Sequence, residues 1–227
     1  MIKSKRTGQL IVISSPSGGG KGSVISGLLK NDNKTRWLSV STTSRPIRTN
    51  DIPGVTYNFV TKEEFEQIIE DGYFLEYTNY VGNYYGTPKQ HIKEKLDQGI
   101  DVILEIEIEG ATNIKKIIPE ALFIFIMPPS LKTLVQRLKK RNTDSKEKII
   151  ERFNTAYKEI NEVTKYNYVV VNDILEDAIE KVEAIIKAEK CRVDRIEEVF
   201  LDTKEEEIHE LLMDNEFDNT KLSDKIS

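Results

Sequence analysis

Ten consecutive residues constrain this chain more than any others. Ser14-Ser15-Pro16-Ser17-Gly18-Gly19-Gly20-Lys21-Gly22-Ser23 lie between the apolar run Leu10 to Ile13 and a helical pattern of Val24, Ile25, Leu28 and Leu29. A buried strand that feeds a glycine-rich turn and then a helix leaves few folds open. The glycines let successive backbone N–H groups turn inward around phosphate oxygens. The helix N-terminus adds its dipole to the same site. Lys21 can reach phosphates whose charge changes during transfer. A plain turn with an incidental lysine is the simpler reading, but the placement between strand and helix argues against it. The pattern G-x-x-x-x-G-K-[ST] is met with two departures. Ser15 stands where the first Gly belongs, and Gly22 follows the lysine, so the hydroxyl comes one place later at Ser23. A hydroxyl directly after the lysine is the usual magnesium ligand, and this chain lacks it.

The rest of the chain continues the alternation. Val102 to Leu104, Leu122 to Met127 and Tyr168 to Val171 read as further buried strands, with Trp37 to Val40 as a weaker fifth. Leu131, Leu134, Val135 and Leu138 share a helix face, and so do Leu175, Ala178, Ile179, Val182, Ile185 and Ile186. Apolar strands alternating with helices predict an α/β fold whose mainly parallel sheet is covered on both faces. Residues 41–90 break the rhythm. They are rich in Tyr, Thr, Asn and Gly, with β-like pieces at Tyr57 to Val60 and Tyr73 to Tyr85 and a short helix at Phe65, Ile68 and Ile69. This predicts an inserted α+β lobe. Residues 139–148 carry no apolar side chain and predict an exposed turn.

Charge separates the body from the tail. Residues 191–227 hold 5 Lys/Arg against 12 Asp/Glu, a net charge of −7, whereas residues 1–190 hold 28 against 26, a net of +2. A near-neutral body disfavours nonspecific nucleic-acid binding but leaves room for a local basic site. Ile196, Val199, Phe200, Ile208, Leu211 and Leu212 keep a helical spacing among the acids, which predicts a partly helical tail that ends in a frayed segment. No apolar run approaches 18 residues, and Leu10 to Ile13 is too short for a signal-peptide core. The single cysteine, Cys191, excludes an internal disulfide. The expected location is cytoplasmic, with no membrane and no nucleic-acid partner; a homo-oligomer is left open.

Between residues 39 and 87 the chain reads Ser39-Val40-Ser41-Thr42-Thr43-Ser44-Arg45-Pro46-Ile47-Arg48, then Tyr57-Asn58-Phe59-Val60, Phe74-Leu75-Glu76-Tyr77 and Gly82-Asn83-Tyr84-Tyr85-Gly86-Thr87. Arg45 and Arg48, three apart in a loop, suit a grip on one phosphate by two guanidinium forks. In isolation they would read as surface arginines. Tyr57 and Tyr85 could donate phenolic hydrogens to the same phosphate, or be core aromatics of a hairpin. Glu76, Ser41 and Thr87 offer a carboxylate and hydroxyls; Glu76 alone would be an ordinary surface acid. With the phosphate loop, these segments closely resemble guanylate kinases over roughly residues 8–190, in the family's order and spacing. The resemblance implies that Ser41, Glu76 and Thr87 read guanine and that Arg45, Arg48, Tyr57 and Tyr85 hold the GMP phosphate.

Leu104-Glu105-Ile106-Glu107-Ile108-Glu109-Gly110 places three acids two residues apart. In a strand they would line one face, although a solvated edge strand would look the same. The apolar start, Val102-Ile103-Leu104, favours a central strand, where unpaired carboxylates would be costly. By resemblance, Glu105 helps hold the magnesium shell and Glu107 faces guanine; the family often has Asp at those two places and Gln at Glu109. Arg137 and Arg141 share a helix face at i, i+4, and Arg152 follows beyond the exposed turn. Alone they would be solvated helix charges. Their spacing resembles the family's lid arginines, with Arg141-Asn142 where Arg-Gly is usual. Asn172 and Asp173 match positions near the adenine of ATP.

The expectation is therefore a three-layer α/β P-loop NTPase fold with a five-stranded parallel core sheet, an inserted GMP-binding lobe at 41–90 and a small lid at 137–152. An acidic C-terminal tail, 191–227, follows it. ATP is the co-substrate, with Mg2+; the loop residues Ser15, Pro16, Ser17, Gly18, Gly19, Gly20, Lys21, Gly22 and Ser23 would bind its phosphates. Lys21, Arg45, Arg137, Arg141 and Arg152 are the catalytic candidates. The rival readings are a non-catalytic guanylate-kinase-like binding module, which an intact Gly20-Lys21 opposes, and a kinase for another phosphorylated acceptor, which Glu76 and Ser41 oppose.

Overall fold

The computed structural model describes residues 2–4, 8–32, 34–49, 51–80, 82–140 and 146–199. Two compact units emerge: Arg6–Lys190, and Met1–Lys5 with Cys191–Ser227. In the second unit, strand β1 (Ile2–Ser4) pairs antiparallel with a strand at Ile196–Val199. The tail helix expected from Ile196 onward is thus corrected at its start. Two apolar residues three apart are too short a run to require a helix, and the pairing of Ile196–Val199 with β1 decides for a strand. The rest of that expectation, from Phe200 on, lies outside the described residues.

In the larger unit, β2 (Leu10–Ser14) runs into the phosphate loop and α1 (Lys21–Asn31), then β3 (Arg36–Ser39). The inserted lobe holds β4 (Thr42–Thr43), β5 (Asn58–Phe59), α2 (Lys62–Glu70), β6 (Phe74–Tyr80) and β7 (Asn83–Pro88). After it come α3 (Gln90–Asp97), β8 (Asp101–Glu105), α4 (Ile108–Ile117) and β9 (Leu122–Met127). α5 (Leu131–Lys140), α6 (Lys146–Ile160), a 3-10 turn, β10 (Tyr168–Val171) and α7 (Leu175–Glu189) complete the unit, and the tail strand is β11.

The core sheet has the order β10-β9-β2-β8-β3 with every pairing parallel, as the alternating pattern predicts. Apolar side chains of β2 alternate between two cores. Ile11 and Ile13 pack with Val24, Leu28, Val182 and Ile186 of α1 and α7; Leu10 and Val12 pack with Ile92, Ala111 and Ile114 of α3 and α4. Both faces are covered, so the central strands β2, β8 and β9 are apolar along most of their length, whereas the edge strand β3 carries Arg36 and Ser39. The chain winds to one side of β2 through β3 and β8, and to the other through β9 and β10. A crevice opens at the carboxyl end of β2, where the winding reverses.

The lobe is a four-stranded sheet, β5-β4-β7-β6, with β6 and β7 as a hairpin. α2 begins in a capping box: Glu64 N–H donates to Thr61 Oγ1 at 3.1 Å, and Thr61 N–H to Glu64 Oε2 at 2.7 Å. The helix is held to the sheet by Phe65, fully buried and stacked with Phe74 at 4.5 Å and Tyr84 at 5.1 Å.

Two expectations are corrected. The three acids do not share a strand face: β8 ends at Glu105, Glu107 is the N-cap of α4, and Glu109 lies in its first turn. Carboxylates at a helix N-terminus are favoured by the macrodipole, which explains their place there. The exposed turn is shorter than 139–148, because α5 runs to Lys140 and α6 starts at Lys146. Long charged side chains are good helix formers, so a lack of apolar residues did not end the helices.

Candidate active site

The phosphate loop is a braced turn. Gly19 N–H donates to Pro16 O at 2.8 Å, and the Ser15 hydroxyl to the same oxygen at 3.1 Å. Gly20 caps α1 with φ +93°, and a Cβ there would stand 2.2 Å from Asn172 Nδ2. Glycine is needed on both counts. Asn172 Nδ2 donates to Gly19 O at 3.0 Å, while Arg137 donates to Asn172 O at 2.8 Å and to Gly19 O at 3.4 Å. Asn172, expected on the adenine side, is therefore a brace of the phosphate loop; its neighbour Asp173 is exposed. Arg137 likewise holds loop carbonyls. Arg152 Nη2 donates to Ser17 Oγ at 3.1 Å. Arg141 lies outside the described residues.

One residue that the sequence reading missed meets the loop from α6. Glu159 Oε2 accepts the Ser17 N–H at 3.1 Å. Burial pushes the Glu159 carboxyl up, while that N–H, Lys21 and the Tyr80 hydroxyl pull it down. Its only sequence signal is the seven-residue spacing from Arg152, two helical turns along one face. Lys21 Nζ donates to Ile106 O at 3.2 Å and lies 3.6 Å from Glu107 Oε1. Gly22 faces Glu105, whose Oε1 would stand in ordinary contact, 3.5 Å, with a Cβ there. Ser23 is exposed in the first turn of α1.

Beside the loop lies a narrow cleft, about 20 Å3 in volume, lined by Ser41, Tyr57, Glu76, Thr78, Tyr85, Gly86, Glu105, Ile106, Glu107 and Gly110. The structure thus brings together Ser41, Tyr57, Glu76, Tyr85, Glu105 and Glu107 from five separate segments. Glu76 is 7% exposed, its Oε1 accepts the Thr87 hydroxyl at 2.6 Å, and its Oε2 has no partner. Burial raises the Glu76 pKa to about 7, against the Thr87 bond and with help from the nearby Glu109 charge. Thr87, expected to face guanine, instead spends its hydroxyl on Glu76 and does not line the cleft. Thr78 does line it, two residues from Glu76 on the same face of β6, a signal that strand periodicity offered.

Arg45 is buried against the rings of Tyr57 and Phe59. Its guanidinium lies 5.3 Å from the Tyr57 ring and pairs with Asp51 at 2.9 Å. Burial opposes the Arg45 charge, but Asp51 outweighs it and raises the pKa; Arg45 in turn holds the Asp51 carboxyl below its usual range. Asp51 also accepts the Arg48 N–H at 2.7 Å, so one acid sets the turn that carries both arginines. Arg48 itself is exposed. Tyr57 packs edge-on to Tyr85 at 5.9 Å, and burial, then Glu105 and Glu107, push the Tyr57 phenol upward, which keeps it a donor.

The guanylate kinase family model matches residues 7–189. The chain belongs to the guanylate kinase family. Guanylate kinase of Clostridium tetani is 55% identical over 207 residues, 91% of this chain and 99% of that one. Guanylate kinase of Clostridium acetobutylicum is 49% identical over 209 residues, 92% and 99% of the two chains. The crystal structure of guanylate kinase from Anaplasma phagocytophilum superposes with a TM-score of 0.71 at 31% identity, covering 85% of this chain and 92% of that one. The family's P-loop NTPase fold accounts for the parallel sheet and for a phosphate loop at the carboxyl end of β2. Among the described residues, no helix is long and apolar enough to cross a membrane.

Proposed function

We propose that this guanylate kinase family member transfers the terminal phosphoryl group of ATP to GMP, and to dGMP, giving ADP and GDP. The observation that carries the assignment is Glu76: a buried carboxylate with one oxygen fixed by Thr87 and the other unpartnered beside an open cleft. Guanine presents two adjacent donors, N1–H and the exocyclic amine, and a carboxylate accepts both. Ser41 and Thr78 supply hydroxyls for O6, and Glu107 lines the same cleft. Arg45, Arg48, Tyr57 and Tyr85 would hold the GMP phosphate. The loop from Ser15 to Ser23 would hold the phosphates of ATP, with the Asn172–Asp173 corner behind it. Residues 8–190 form the catalytic part in this reading.

The accepting phosphate oxygen is already unprotonated near neutral pH, so the site needs no strong general base. Rate comes from alignment and from charge on Lys21 and on Arg45, Arg137, Arg141 and Arg152. Mg2+ fits a restricted role. No cluster of three acidic, His or Cys groups exists among the described residues, yet Mg2+ usually needs only one or two carboxylates besides phosphates and water. Glu105, beside Gly22 at the start of α1, is the residue to hold it. Bound there, the ion would neutralise phosphate charge. Both substrates are intracellular metabolites, which supports a cytoplasmic setting.

Neither a binding module nor a kinase for another acceptor is favoured by the family match and the guanine-type cleft. The test is an ADP-release assay across GMP, dGMP, AMP, CMP and UMP. GMP and dGMP should turn over and AMP should fail by roughly 10⁴-fold or more, since the wrong base leaves buried polar groups unpaired. Equal turnover of AMP and GMP would overturn the assignment.

A further inference from the structure

Glycine is a poor helix former, yet Gly110 sits buried inside the first turns of α4, the helix that packs against β6. The space around it gives the reason. A Cβ at position 110 would stand 2.8 Å from Glu76 Oε2, 3.2 Å from Glu76 Cδ and 3.5 Å from Glu76 Oε1, with no other neighbour among the nearest atoms. The group that forbids a side chain at 110 is therefore one carboxylate, the one whose Oε2 has no partner. Gly110 and Glu76 both line the cleft beside the phosphate loop.

We propose that Gly110 is a specificity-determining residue: the missing side chain on α4 is what lets the Glu76 carboxylate stand where it can read guanine. This rests on Glu76 being the guanine acceptor. The carboxyl group is planar and its Oε1 is fixed by Thr87 at 2.6 Å. Oε2 cannot swing away from a new methyl without disturbing that bond. A side-chain end yields more easily than a backbone, so a methyl at 110 displaces the reader and spares the fold. The helix itself gains a better helix former. Gly110→Ala should thus look unlike a core clash: base recognition is lost and stability is kept.

The experiment compares Gly110→Ala, Glu76→Ala and the double variant, reading KM for GMP, KM for ATP, GMP binding by calorimetry and the thermal midpoint. Gly110→Ala should raise KM for GMP roughly ten- to a hundredfold, the scale of a misplaced recognition group. Its KM for ATP should stay within about twofold and its midpoint should not fall, as no contact of the ATP loop or core is lost. In the Glu76→Ala background the second change should add no further loss, because the coupled pair is already broken. If Gly110→Ala fails to fold alone but folds with Glu76→Ala, the same clash is demonstrated. Additive losses, an equal rise in both KM values, or a double variant that does not fold would each overturn the role of Gly110. If Glu76→Ala itself leaves GMP kinetics intact, the guanine site is misassigned; if Glu76→Ala weakens GMP and Gly110→Ala is silent, only the present inference fails.

Discussion

The phosphate loop and the base cleft of this guanylate kinase family member are built on opposite plans. The loop is one contiguous stretch, from the end of β2 into the first turn of α1, braced from outside by Asn172, Arg137, Arg152 and Glu159. Its chemistry is mostly backbone, fixed by glycine geometry. The cleft is made of side chains from β6, β7, the strand-to-helix corner at 105–110 and the start of the lobe. Ser41, Glu76 and Thr78 are buried there, and Glu76 is left incompletely paired. A loop that binds phosphate can stand preformed, because water satisfies open amides cheaply. A cleft that must tell one base from another does so with buried groups that only the right base can pair.

The difference is tested most strongly at Lys21. Lys21→Ala should lower kcat on the order of a hundredfold or more while leaving KM for GMP within a few-fold, the pattern for a charge that acts in the transition state. Single-turnover and steady-state rates check it, and a selective rise in KM for GMP would break the division of labour.

The next effect is on pH. Glu76 is buried with its pKa raised to about 7 from an ordinary carboxyl value. The unfolded chain releases this proton first, so the ligand-free protein should lose stability as pH rises from about 4.5 towards 7. Guanine donors want the ionised form. KM for GMP should therefore rise about tenfold per pH unit below 7, over and above the ionisation of GMP itself. Glu76→Gln keeps the GMP term and should lack the extra slope. A wild-type profile no steeper than that of Glu76→Gln would show that Glu76 is already ionised before GMP arrives.

The smallest effect is at Glu159, whose carboxylate sits on the Ser17 N–H. Glu159→Gln keeps an acceptor and removes a negative charge beside the phosphate loop, where the proposed function places the phosphates of ATP. KM for ATP should fall by roughly two- to fivefold, the size of one partly screened charge contact, and KM for GMP should not move. A rise in KM for ATP would mean that the charge holds the loop tip rather than competing with phosphate.

How much of this was legible follows the same division. Four core strands and the loop were readable because each is one local pattern, an apolar run or glycines at fixed offsets; β3, with Arg36 and Ser39 at its ends, gave a weaker signal. The cleft was readable only as residue types in order. Glu76 and Ser41 could be named, but not that Thr87 serves Glu76, since a hydroxyl bond across a hairpin leaves no periodicity. Glu105, Glu107 and Glu109 misled because alternation at a strand end looks like a strand, and the turn into α4 depends on packing beneath it. Asp51 and Glu159 were missed as single acids far from the motifs they serve. Asn172 was seen, but not its bond to Gly19 O, which joins residues 153 apart and exists only in three dimensions.

The central claim is that base recognition sits in the cleft and phosphoryl transfer at the loop. It is tested most directly by steady-state kinetics of Glu76→Gln with each substrate varied in turn. The exchange keeps the side chain's shape, removes its charge and swaps one acceptor for a donor. kcat/KM for GMP should fall on the order of a hundredfold or more, as for a buried acceptor turned against its donors, with KM for ATP within about twofold. A raised KM for ATP with GMP kinetics intact would contradict it.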